Sequence, residues 1–166
     1  MPPEPPRVIP STVAVMKHPI HPMLVVYPIA LLSLTLPCDL VFAFSADPFW
    51  ARAAFWLTLT GFAVGVIAAI VGMVDFFTMR RVRSHVSAWS HFICAVVLMA
   101  LAAANLRERW DDATNVLPWG LALSAAMALL VVVTGWLGGT LTFGHAIGSF
   151  EHEVDSPDDP NRPFDR

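Results

Sequence analysis

The stretch "AAFWLTLTGFAVGVIAAIVGMVDFF", residues 53–77, decides the fold. It exceeds the length of about 20 residues that carries an α-helix across a bilayer. Its single charge, Asp75, stands near its end. A helix that is apolar on every face has no side to offer water, so it belongs in lipid or in a large core. Three more stretches read the same way: residues 23–44, 86–105 and 117–143. Composition agrees. The chain has 166 residues, of which 56% are hydrophobic and 14% charged, whereas soluble domains are nearer half apolar and a quarter charged. Short connections between the apolar runs predict an all-α integral membrane protein, four transmembrane helices in an antiparallel up-down bundle.

The flanks differ in character. Residues 1–20 form a proline-rich arm that opens on "MPPEPPRVIP", a sequence suited to polyproline II. Residues 21–148 are the membrane domain. Residues 149–166 are an acidic tail with Glu151, Glu153, Asp155, Asp158, Asp159 and Asp165, which reads as solvated and disordered. The first apolar run is too long for the core of a secretory signal and lacks a small-x-small cleavage site, so no signal peptide is expected. Trp50, Trp56, Trp110 and Trp119 fall at one set of span ends and Trp89 and Trp136 near the other, as two interfacial belts would. Arg7, Lys17, Arg80, Arg81 and Arg83 face Arg52, Arg107 and Arg109 across the membrane. That bias places both termini in the cytoplasm.

Boundaries follow from local chemistry. Pro22 suits the first turn of span one with His21 at its cap, and Asp47-Pro48 ends that span. Thr114 or Asn115 caps span four, with Pro118 in its first turn. Pro37 is expected to kink span one. Gly61, Gly65 and Gly72 on span two, and Gly135, Gly138 and Gly139 on span four, let helices approach closely. Cys38 and Cys94 lie at different depths, too far apart for a disulfide.

The histidines carry the most information. His18, His21, His85, His91, His145 and His152 all collect at one membrane face under this topology. His91 is the one firmly inside an apolar run, where an ionisable residue is a functional candidate by default. In an up-down bundle spans one and three are diagonal and span four neighbours both. His21, His91 and His145 therefore converge on the interior near one surface, and Asp75 joins the same layer. Two imidazoles from different spans suffice to ligate a b-type haem. Three histidines with Asp75 would instead suit zinc or copper. For each residue the plainer alternative is an interfacial or hydrogen-bonded histidine. Asp39, 18 residues beyond His21, belongs to the opposite face, either as a proton carrier or, preferably, as a structural hydrogen-bonding group. No CxxCH is present for covalent haem attachment, and no nucleophile motif, phosphate loop or nucleic-acid patch occurs. No inverted repeat of the transporter kind is visible.

"HPIHPMLVVYPIALLSLTLPCDL" (residues 18–40), "GMVDFF" (72–77), His91 and "GWLGGTLTFGHAIG" (135–148) together resemble the bacterial domain-of-unknown-function 2231 membrane proteins (DUF2231). The resemblance covers roughly residues 18–148, and the matched positions include His21, Pro22, Asp39, Asp75, His91, Gly135, Trp136, Gly138, Gly139 and His145. Thr140 and Ala95 depart from the pattern, where an acidic residue and an asparagine are usual. The resemblance implies a four-span protein of the bacterial inner membrane. Relatives joined to Rieske or cytochrome-type domains imply electron transfer and a b-type haem. With no Rieske motif in this chain, the redox partner would be a separate protein or larger membrane complex. The expectation is a small b-type cytochrome-like module near one membrane face. His91 is one axial ligand and His21 or His145 the other. Asp75 orients a histidine or a propionate-linked water, and Arg80, Arg81 or Arg83 pairs with the propionates. The alternatives are a non-redox structural or assembly subunit and, more weakly, metal or proton transport. An activity of its own as an enzyme is not expected.

Overall fold

The computed structural model describes residues 13–15 and 18–144. Four helices are long and apolar enough to cross a membrane. They are α1 (Ile20–Ser45), α2 (Pro48–Thr78), α4 (Val86–Arg109) and α5 (Trp119–Gly139), with a one-turn helix α3 (Arg80–Arg83) between the second and third. Helix α5 runs on into a π-helical turn, Thr140–Gly144. Before α1, two-residue strands β1 (Ala14–Val15) and β2 (His18–Pro19) pair antiparallel. The long helices pack in a closed ring, α1 against α2, α2 against α4, α4 against α5, and α5 back against α1. This is the antiparallel bundle that the short connections predict.

Several ends differ from the expectation. Pro19, in extended backbone, precedes α1, so His21 lies inside the first turn and not at its cap. Helix α2 starts at Pro48, five residues earlier than the apolar run. Asp47 caps it by accepting the Phe49 N–H at 2.9 Å, and its 31 residues span about 46 Å. Before it, Ala46 adopts a left-handed φ of 54° and its N–H closes α1 on the Phe42 carbonyl. Span three continues to Arg109. Thr114 and Asn115 do not cap α5, which begins at Trp119. They belong to the preceding turn, where the Thr114 hydroxyl and N–H both donate to Asp112 Oδ1 and hold that carboxyl below its usual pKa. Asn115 Nδ2 donates to the Glu108 carbonyl at 2.9 Å and closes the end of α4. Helix α1 runs unbroken through Pro28 and Pro37.

The two helical hairpins share one pattern of buried positions. Positions 28, 32, 35 and 39 of α1 are buried, and so are positions 98, 102, 105 and 109 of α4, a constant offset of 70 residues. Positions 54, 58, 61, 65 and 68 of α2 are matched by buried positions 120, 124, 127, 131 and 134 of α5 at a constant offset of 66 residues. The hydrogen bonds repeat as well. Thr58 Oγ1 bonds the Ala54 carbonyl and meets Thr35 Oγ1 at 3.1 Å. Ser124 Oγ lies 3.0 Å from the Gly120 carbonyl and accepts from Asn105 Nδ2 at 3.0 Å. The ring order α1–α2–α4–α5 maps onto itself when the hairpins exchange, so a pseudo-two-fold axis runs down the bundle, parallel to the helices. Such parallel repeats are one of the two ways membrane folds are duplicated. Leu32, Leu98, Ala102, Met127 and Val131 fill the middle of the bundle.

Candidate functional site: a histidine pair at one end of the bundle

His21 and His91 occupy equivalent places in the two hairpins, and each is seated identically. His21 Nδ1 lies 2.8 Å from the Ala68 carbonyl of α2. His91 Nδ1 lies 3.1 Å from the Thr134 carbonyl of α5. A carbonyl only accepts, so both Nδ1 atoms carry a proton and donate; in the neutral form of either ring Nε2 then keeps its lone pair. Four residues beyond each carbonyl stands a glycine that makes room for the ring. A methyl group on Gly72 would come within 2.7 Å of His21 Cε1, and one on Gly138 within 3.2 Å of His91 Cε1. The close approach that the small-residue stripes predict therefore serves two imidazoles.

The two rings meet edge to face, with centroids 6.4 Å apart and planes at 88°. Both border one cavity of about 390 Å³, otherwise lined mainly by apolar groups of α2 and α4. Neither imidazole makes a further hydrogen bond within the described residues. The fixed tautomer and the backbone-anchored Nδ1 are the arrangement found behind metal-ligating histidines. With a metal–nitrogen bond of about 2.0–2.1 Å, a ligated ring centre lies about 3 Å from the ion. Two rings sharing one ion thus sit up to roughly 6 Å apart, and the observed separation is of that size. Each ring thus offers one nitrogen donor beside the cavity, at a separation of that size.

The other expected members divide. Asp75 borders the same cavity, but it orients neither histidine, because the two main-chain carbonyls do so. Its Oδ1 instead accepts the Val13 N–H at 3.0 Å and ties the N-terminal hairpin to the end of α2. His145 lies outside the described residues, as do His152 and both tails. His18 and His85 stand at the same end of the bundle, on β2 and just before α4, without bordering the cavity. Arg80 and Arg83 are on α3 nearby. Among the described residues no three His, Cys, Asp or Glu side chains gather around a metal position.

A second polar cluster, at the opposite end, was only half legible in the sequence. Asp39 of α1 is fully buried and takes both arms of Arg109 of α4, NH1 to Oδ1 at 2.6 Å and NH2 to Oδ2 at 2.5 Å. Ser124 donates its one hydroxyl hydrogen to Asp39 Oδ2 at 2.5 Å. It accepts from Arg109 NH2 and from Asn105, which also donates to the Gly120 carbonyl. Arg109 is thus a buried partner and not a loop charge. Removing it from the outer count leaves Arg52 and Arg107 there and strengthens the charge bias toward the histidine end. Asp39 and Arg109 are themselves equivalent positions, so the pseudo-axis carries an imidazole pair at one end and an ion pair at the other. Sequence reasoning missed Asn105, Arg109 and Ser124. The signal that finds them is the recurrence of in-span polar residues at offsets of 70 between α1 and α4 and 66 between α2 and α5.

Fold and sites define a four-span helical membrane protein whose two hairpins repeat one burial pattern, with a histidine pair at one end. The chain belongs to the DUF2231 family, described as a predicted membrane protein, whose family model matches residues 17–151. Comparison with curated proteins and with solved structures finds no match.

Proposed function

We propose that this chain is a small electron-transfer module of the bacterial inner membrane, with both termini cytoplasmic, in which His21 and His91 hold a b-type haem. One observation carries the reading. Two equivalent imidazoles border one cavity, and both present lone-pair nitrogens. At the other end of the bundle Asp39 and Arg109 pair as donor and acceptor, but two acceptors cannot. An electropositive centre between them resolves the conflict, and bis-imidazole ligation is a standard haem arrangement.

Bound there, a haem would supply a one-electron iron couple. The chain's own groups do the rest. The Ala68 and Thr134 carbonyls fix both rings and raise their basicity. The apolar lining keeps the surroundings dry and of low dielectric. Arg80 and Arg83 suit planar carboxylates at the membrane face. The reading is tested by the reduced-minus-oxidised visible spectrum of protein purified from haem-supplied cells. Soret and α bands support it, and their absence contradicts it.

A further inference from the structure

The buried cluster at the end opposite the histidines holds two polar atoms that its own bonds leave over. Both hydrogens of Asn105 Nδ2 are used, on the Gly120 carbonyl and on Ser124 Oγ, each at 3.0 Å. Those donations fix the orientation of the amide and leave Oδ1 as an acceptor. Arg109 uses NH1 on Asp39 Oδ1, and NH2 on Asp39 Oδ2 and Ser124 Oγ, which leaves the Nε hydrogen. Asn105 is 0% exposed and Arg109 1%. Among the described residues neither Asn105 Oδ1 nor Arg109 Nε has a partner. A notch lies beside them. The point where a methyl on Gly120 would stand is 3.0 Å from the Asn115 carbonyl oxygen and 3.4 Å from Arg109 Nε. At the equivalent position of the other hairpin Ala54 is fully buried with its methyl in place, and there Thr35 and Thr58 bond each other. Asn115 also borders a polar surface cavity of about 560 Å³, together with Glu108, Asp112 and Thr114, so the notch adjoins the aqueous face at this end.

We infer that the notch beside Gly120 binds a single water molecule, a fixed member of the Asp39–Arg109 cluster that exchanges with the aqueous face past Asn115. The chemistry of the leftover atoms selects the ligand. It must accept from an N–H, donate to oxygen, and be small. An anion would meet the Asn105 and Asn115 oxygens, and the Arg109 charge is already matched by Asp39. A cation would meet the guanidinium. Water alone does both tasks, and buried waters typically make about three hydrogen bonds to such leftover groups. Here it accepts from Arg109 Nε and donates to the Asn115 carbonyl and to Asn105 Oδ1. The inference is independent of the haem, which concerns the other end of the bundle.

The test is water-edited solid-state NMR of the full chain in lipid bilayers, isotope-labelled at the arginine nitrogens. The Arg109 Nε signal is identified by its loss in Arg109→Lys. It is expected to receive magnetisation directly from water protons, although the side chain is buried. Gly120→Ala, whose methyl fills the notch, is expected to abolish that transfer, and Asn105→Leu, which removes one acceptor, to weaken it. An Arg109 Nε signal without water contact in the wild type overturns the inference, and so does contact that both variants leave unchanged. A shift of that signal on titration with chloride would identify an anion in the notch and overturn it as well. Should Gly120→Ala not fold, the wild type and Asn105→Leu decide between them.

Discussion

At Gly72 and Gly138 one methyl group decides where an imidazole sits. Gly72→Ala puts a carbon 2.7 Å from His21 Cε1, and Gly138→Ala puts one 3.2 Å from His91 Cε1. Neither ring can retreat without losing its carbonyl. The expected cost is about 1–3 kcal/mol of overpacking, larger at Gly72, read as a lower midpoint of thermal unfolding in detergent. The opposite order, or no loss at either site, contradicts the seating described here. At this scale the sequence was informative where a residue type is rare for its surroundings. His91 inside an apolar run announces itself. The partners of both histidines do not, because they are main-chain carbonyls that every residue has. Arg109 was hidden for another reason. It stands at the apparent edge of a span, where an arginine ordinarily faces water and headgroups.

Between elements, the Asp39–Arg109 pair ties α1 to α4 across the diagonal, with Ser124 and Asn105 bringing in α5. Breaking a buried pair from one side leaves a bare charge, which costs about 3–5 kcal/mol. Arg109→Ala is expected to lose that much. The double variant Asp39→Leu with Arg109→Met, which leaves no charge behind, is expected to lose less than either single change. Chemical or thermal unfolding of the three proteins decides it, and additive losses would contradict the pairing. Gly120 belongs to this contact, since a methyl there would stand 3.1 Å from Arg109 NH2. The four spans themselves were legible from apolar length. Their starts were less so, because Asp47, Thr114 and Asn115 act through local hydrogen bonds that hydropathy does not weigh. The short helix α3 left no apolar signal at all.

Across the whole molecule, the duplication makes its own prediction. Positions 39 and 109 are equivalent, so exchanging the charges, Asp39→Arg with Arg109→Asp, should rebuild the pair in mirror order. A steric obstacle is Ala54, which carries a methyl where Gly120 has none. Adding Ala54→Gly is expected to bring the unfolding midpoint above that of either single charge variant. A triple variant no better than the singles contradicts the two-fold relation. This repeat escapes a reading of hydropathy, since all four spans are apolar. It also escapes a search for inverted halves, since both hairpins run the same way. It shows only when buried polar residues are compared helix by helix, 35 with 105 and 39 with 109 at an offset of 70, and 58 with 124 at an offset of 66. The same relation places His21 and His91 at equivalent positions, and these two are the ligands of the proposed haem. The most direct measurement is therefore the reduced-minus-oxidised spectrum of the wild-type protein beside His21→Ala, His91→Ala and His145→Ala, all purified from haem-supplied cells. The account predicts haem bands in wild type and in His145→Ala, and their loss in both of the other variants. A wild-type spectrum without bands, or bands that survive both His21→Ala and His91→Ala, would contradict it.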